Sequence, residues 1–180
     1  MKKQYGLDAT NVLDPTLLLE DYEQLTGEIS DMKSTLVYYP LGEDSQLEGY
    51  AINLAKRLGL TPLNNNNCTY IFRKLKWDRT GIEEWIRNIA QAKFVVTRSF
   101  HGLVFSLIFK RQFAIIASPN GRNARIMDLL SQLNLSNRFF GSFEELDQSQ
   151  PWADLINYDE VTPILEKLRK HSIDTIVSIL

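Results

Sequence analysis

The chain has 180 residues, 44% hydrophobic and 23% charged, with a formal net charge of -2. That is room for one domain with a full core, and the negative balance argues against a nucleic-acid partner. A single cysteine, Cys68, excludes an intramolecular disulfide framework and a cysteine-rich zinc site. No apolar run reaches the ~18 residues of a membrane span, and no h-region follows Lys2 and Lys3, so a cytoplasmic location is the expectation.

Taken in order, Asp14-Pro15 is a turn signal, Leu17 to Leu19 read as a short buried element, and Glu20 to Lys33 is a polar connection. Thr35 to Tyr39, β-branched and aromatic and stopped by Pro40, predicts a strand. Ser45 and Glu48 fit a capping box ahead of the helical period Leu47, Tyr50, Ala51, Leu54, Ala55 and Leu58, which Gly59 closes. Thr61-Pro62 and the run Asn64 to Asn67 read as a surface loop, with a strand around Cys68 to Phe72 after it. Arg73, Lys74, Lys76 and Arg79 around Trp77 are too weak a pattern to indicate nucleic acid.

Thr80 and Glu83 suggest a second capping box before Ile82, Trp85, Ile86 and Ile89. Lys93 to Thr97 is apolar without alternation, as in a strand buried on both faces of a parallel sheet. Gly102 to Phe109 has high β propensity, yet it lies between that strand and another at Phe113 to Ala117. A buried crossover helix completing a βαβ unit is therefore expected, with Ser99 near its N-cap. Ser118 to Gly121 is a turn, and Arg122 to Leu133 a helix with Ile126, Leu129, Leu130 and Leu133 inward. After a looser acidic stretch, Thr162-Pro163 opens a last helix whose packing face is Leu165, Leu168, Ile173, Ile176 and Leu180. Strands alternating with helices mean an α/β fold with an open, mostly parallel sheet flanked by helices.

From Trp85 to Met127 the chain has no acidic residue, while Arg87, Lys93, Arg98, Lys110, Arg111, Arg122 and Arg125 fall in that window. In an open α/β sheet, ligands bind beyond the carboxyl ends of the strands, where helix N-termini present free N–H groups. Thr97, Arg98, Ser99 and His101 fall at one such junction and Ser118 to Arg125 at the next. Together they offer hydroxyls, arginines and one histidine to a ligand with both phosphate and carboxylate. His101 is the acid–base candidate; the plainer alternative is a core histidine donating to a carbonyl. Arg125 is placed to fork onto a carboxylate, whereas Arg122 equally suits a solvated first turn. His171 is expected at the surface, and two histidines without suitable partners give no metal site. There is no P-loop, no GxGxxG and no GxSxG.

The runs EEWIRNIAQAKFVVTRSFHGLVFSLIFKRQFAII and GRNARIMDLLSQLNL, with VLDPTLLL before them and YDEVTPILEKLRKHSIDTIVSIL after, strongly resemble the polysaccharide pyruvyl transferase family. SFHG is the most specific block. The resemblance implies a single Rossmann-like domain over residues 1–180, like the C-terminal lobe of a GT-B-type two-lobed transferase. On that resemblance the N-terminal lobe is expected to be missing from this chain, and that lobe, or self-association through the face it would cover, is the expected partner. The reaction implied moves a pyruvyl group from phosphoenolpyruvate to a sugar of a bacterial cell-surface polysaccharide as a ketal and releases phosphate, with no further cofactor. His101 stands at the family's histidine position as the general acid. Thr97, Arg98, Ser99, Gly102, Asn123 and Arg125 are the expected substrate-binding residues, for the donor and a saccharide acceptor. Two other readings stay open: the nucleotide-sugar-binding lobe of a GT-B glycosyltransferase, and a non-catalytic binding or assembly module in exopolysaccharide biosynthesis.

Overall fold

The computed structural model describes residues 10–19, 21–29, 32–40, 42–66 and 81–179. The chain forms two compact units, Tyr22–Ile156 and Met1–Asp21 with Asn157–Leu180. Among the described residues of the larger unit five strands, β1 (Thr35–Tyr39), β2 (Thr61–Asn64), β3 (Phe94–Thr97), β4 (Gln112–Ile116) and β5 (Phe139–Phe140), pair in the order β2-β1-β3-β4-β5. Every pairing is parallel, with Tyr39 opposite Thr97 and Thr97 opposite Ile115. The helices of this unit are α1 (Glu23–Thr26), α2 (Ser45–Leu58), α3 (Ile82–Gln91), α4 (Phe100–Ile108), α5 (Ala124–Gln132) and α6 (Phe143–Ser149). This is the open α/β sheet the alternation predicts, and the winding direction reverses between β1 and β3.

Strand alternation sorts the core into two layers. Leu36, Tyr38, Phe94, Val96, Ala114, Ile116 and Phe140 form one cluster with Leu47, Ala51, Leu54 and Ala55 of α2 and Leu146 of α6. Val37, Val95, Phe113 and Ile115 face the other way and are fully or almost fully buried, on the side of α3 and α4. Because both faces are covered, the strands read as unbroken apolar runs. Gly59 ends α2 in the left-handed conformation, φ 65°, with its N–H on the carbonyls of Ala55 and Lys56.

Several local expectations change. Asp44, not Ser45, caps α2: its Oδ1 accepts from the Leu47 N–H at 3.0 Å. Glu48 instead accepts from the Tyr38 hydroxyl at 2.9 Å, and burial together with that carboxylate pushes the phenol up to about 12. Thr61-Pro62 is strand, not loop. The Thr61 and Asn65 N–H groups bond back to Ser34 and Tyr38 carbonyls, so by alternation the missing N–H of Pro62 falls on the outer edge, where proline is tolerated. Gly81 caps α3; Thr80 and the strand expected at Cys68 to Phe72 lie outside the described residues. The polar connection contains α1, whose Thr26 carbonyl accepts from Arg87 Nε at 2.9 Å.

The acidic stretch carries β5 and α6. Ser142 Oγ accepts from the Glu145 N–H at 3.3 Å and Glu145 reaches back to Gly141 N at 2.6 Å, a reciprocal cap displaced by one residue from the usual box. Asp147 of α6 takes Tyr50 Oη and Arg57, both at 2.6 Å. Burial raises the Asp147 carboxyl, but the bonds from Arg57 and Tyr50 and the Arg57 charge outweigh it, leaving the group below its ordinary range. Arg138, 2% exposed, donates to the carbonyls of Pro151 (2.8 Å) and Asp154.

The smaller unit joins a 3-10 turn at Pro15–Leu17 to α7 (Tyr158–Val177). Asp14 caps the turn through Thr16 N at 3.1 Å. The Leu13 N–H bonds Ser172 Oγ at 2.9 Å, and Arg169 Nε bonds the Leu17 carbonyl at 2.7 Å. Leu17 is fully buried, whereas Leu19 is 56% exposed, so the buried element is shorter than expected. The last helix opens at Asn157, which caps Asp159 N at 3.1 Å, and Pro163 lies inside it. Among its expected packing positions Leu165 is buried, and Ile173 and Ile176 are exposed.

Replacing Arg138 by Ala removes the donor to the buried Pro151 carbonyl and to the Asp154 carbonyl and is expected to cost roughly 2–4 kcal/mol, read as a lower urea midpoint. Asp147, held below its unfolded value, contributes stability that is complete above about pH 4 and is lost as pH falls through the folded value. Asp147→Asn should therefore flatten the acid limb of the stability curve.

Candidate functional site

The turn from β3 into α4 is held by a short relay of hydrogen bonds. Thr97 is fully buried; its hydroxyl donates to the Tyr39 carbonyl at 2.7 Å and accepts the Ser99 N–H at 3.0 Å. Ser99, 3% exposed, caps α4 by accepting the Gly102 N–H at 3.3 Å. A Cβ on Gly102 would sit 2.8 Å from both Thr97 Cγ2 and Oγ1. The glycine thus lets the first turn of α4 lie directly on the end of β3. Ser106, one turn on, donates to the Gly102 carbonyl at 2.7 Å.

His101, in that first turn, is exposed. Its ring meets Phe100 edge-on, centroids 5.7 Å apart, and on the face of Phe100 the Arg125 guanidinium lies 4.0 Å from the centroid. Arg125 is the second residue of α5 and exposed. Phe100 therefore gathers the histidine of one strand-to-helix junction and the arginine of the next, and β3 and β4 are neighbours as the sequence implied. Phe100 is not among the residues expected from the sequence; its place directly before His101, at the mouth of a helix, is the signal that points to it.

The remaining expected residues point inward. Arg98 Nε pairs with Asp44 Oδ2 at 2.7 Å, a second guanidinium nitrogen donates to the Ala117 carbonyl, and the group lies 5.6 Å from the Phe143 centroid. Asn123 closes the Ser118–Asn123 turn, its Oδ1 accepting from Ser118 N at 2.9 Å. Of the seven, only His101 and Arg125 are exposed; Thr97, Ser99 and Gly102 shape the turn, and Arg98 and Asn123 brace the loops beside it. His171 is exposed on α7. Among the described residues no group of three or more His, Cys, Asp or Glu is placed to hold a metal, and no helix is long and apolar enough to cross a membrane.

Gly102→Ala is expected to lower stability by about 1–3 kcal/mol, overpacking outweighing the helix propensity gained. Equilibrium denaturation measures it; an unchanged midpoint would mean that α4 slides off β3 without cost.

The family model described as polysaccharide pyruvyl transferase matches residues 1–120 of the 180. The match takes in β1 to β4 and the whole turn from Thr97 to Gly102, and stops before Asn123 and Arg125. No curated protein and no solved structure matches the chain. With two-thirds of its length matched by that model, the chain belongs to the polysaccharide pyruvyl transferase family.

Proposed function

We propose that this chain binds phosphoenolpyruvate beside His101 and supplies the general acid that sets its pyruvyl group onto two hydroxyls of a polysaccharide sugar. The observation that carries the reading is the Phe100 platform, which brings the Arg125 guanidinium to a 4.0 Å stack next to the exposed His101 ring. Arg125 forks onto the carboxylate of the donor, and the N-terminus of α5 adds N–H groups for its phosphate. His101 delivers a proton to the methylene carbon, which becomes the methyl group. The electron-poor C2 then accepts one sugar oxygen, loses the phosphate with its bridging oxygen, and accepts the second sugar oxygen to close the ketal. Of the two hydroxyl protons released, one restores His101 and one leaves on the phosphate.

The whole protein's role is then that of the donor-binding lobe of a GT-B-like transferase in cell-surface polysaccharide synthesis, working in the cytoplasm with a second lobe or a second copy. Calorimetric titration of phosphoenolpyruvate into the wild type should give saturable binding. Arg125→Ala should weaken it at least about tenfold, the loss of a charge-assisted fork, while His101→Gln should change it less than about threefold, since a general acid acts mainly in the transition state. Binding of uridine diphosphate in place of phosphoenolpyruvate would overturn the reading in favour of a nucleotide-sugar lobe.

A further inference from the structure

The reversal of winding between β1 and β3 is where an open sheet of this order leaves a crevice beyond its carboxyl edge. Here that crevice holds an ion pair. Arg98 stands on the β3–α4 turn and Asp44 at the end of the β1–α2 loop, with Nε to Oδ2 at 2.7 Å and only 11% and 19% of their side chains exposed. Each end is anchored twice. Asp44 uses its other oxygen to cap α2 at Leu47 N, and Arg98 also donates to the Ala117 carbonyl just beyond β4 while lying against the Phe143 ring at the start of α6.

We infer that Arg98 is not a ligand of the donor but a positioning residue: Asp44 holds its guanidinium as a staple across the ends of β1, β3 and β4, and the staple fixes the turn that presents Phe100 and His101. The inference rests on the function proposed above. A carboxylate already satisfies the charge of Arg98, so an anion recruited there would have to displace an acid fixed by its own helix cap. The relay from Tyr39 through Thr97 to Ser99 fixes the backbone of the turn from beneath; the Arg98 side chain fixes it from the strand on either side. Arg125, stacked on Phe100, is the guanidinium that the proposed function sets against the donor carboxylate.

Asp44→Asn separates the two roles. Asparagine keeps one oxygen for the cap on α2 and puts an NH2 donor where the second oxygen accepted from Arg98, so the charge and that hydrogen bond are removed together. If Arg98 gripped the donor itself, losing the nearby negative charge would tighten phosphoenolpyruvate binding. Positioning predicts the opposite: Asp44→Asn and Arg98→Gln each weaken binding by about three- to tenfold, and the double variant is no weaker than either single, the signature of residues acting through one contact. Tighter binding in Asp44→Asn, or losses that multiply in the double variant, would overturn the inference. Failure of the wild type to bind phosphoenolpyruvate would defeat the proposed function instead. The staple would then be decided by the His101 ring resonances of the same four proteins without ligand: a common displacement in both singles and the double sustains it, and resonances unmoved by Asp44→Asn refute it.

Discussion

The close approach of Gly102 to Thr97 is the constraint on which the carboxyl edge of the sheet depends. The Thr97 side chain occupies the space that any side chain on residue 102 would need. Its hydroxyl meanwhile joins two strands and a helix by bonding the Tyr39 carbonyl and the Ser99 N–H. A fully buried hydroxyl must be satisfied or costs a kilocalorie or more, of order 1–3 kcal/mol. Here both of its bonds go to backbone, so the polar atom needed for burial also sets where α4 begins. Everything the turn displays, Phe100 and His101 included, inherits its position from that contact.

Much of the framework was legible because the central strands are buried on both faces. Thr35–Tyr39, Phe94–Thr97 and Gln112–Ile116 are apolar enough to be read without neighbours, and the helical period of residues 47–58 ends at a glycine that adopts positive φ. The edges were not legible for the same reason. β2 is exposed and contains Pro62, and β5 has two residues, so neither carries the burial pattern that marks a strand. The capping box at Ser45 and Glu48 failed by one residue because Asp44 offers a carboxylate with the better reach and Glu48 has a phenol to bind. Pro163 suggested a helix start, whereas Asn157, with Asp159 and Glu160 behind it, begins the helix more than a turn earlier.

The site was legible as a location and less so as a division of labour. Order along the chain was enough to put Thr97 to Gly102 and Ser118 to Arg125 at adjacent junctions. It could not tell that Arg98 is paired with an acid, since Asp44 lies 54 residues before it and long-range charge pairs leave no local pattern. Phe100 carries no sign of a site role in the sequence, because aromatic residues at the start of a buried helix are usually core. Its half-buried ring instead takes a cation on its face and an imidazole at its side, the face attracting the cation through the ring quadrupole.

Pro62 has one more effect. A sheet edge with open N–H groups invites pairing with a strand from another molecule. On β2 one of the outward donors does not exist, and at the opposite edge β5 offers a ladder only two residues long. Neither described edge is a template for continuing the sheet from molecule to molecule. A companion that met the unit at either described edge would be recognised by side chains rather than by a shared ladder, a kind of contact that single substitutions can strengthen, weaken or redirect without disturbing the strands underneath.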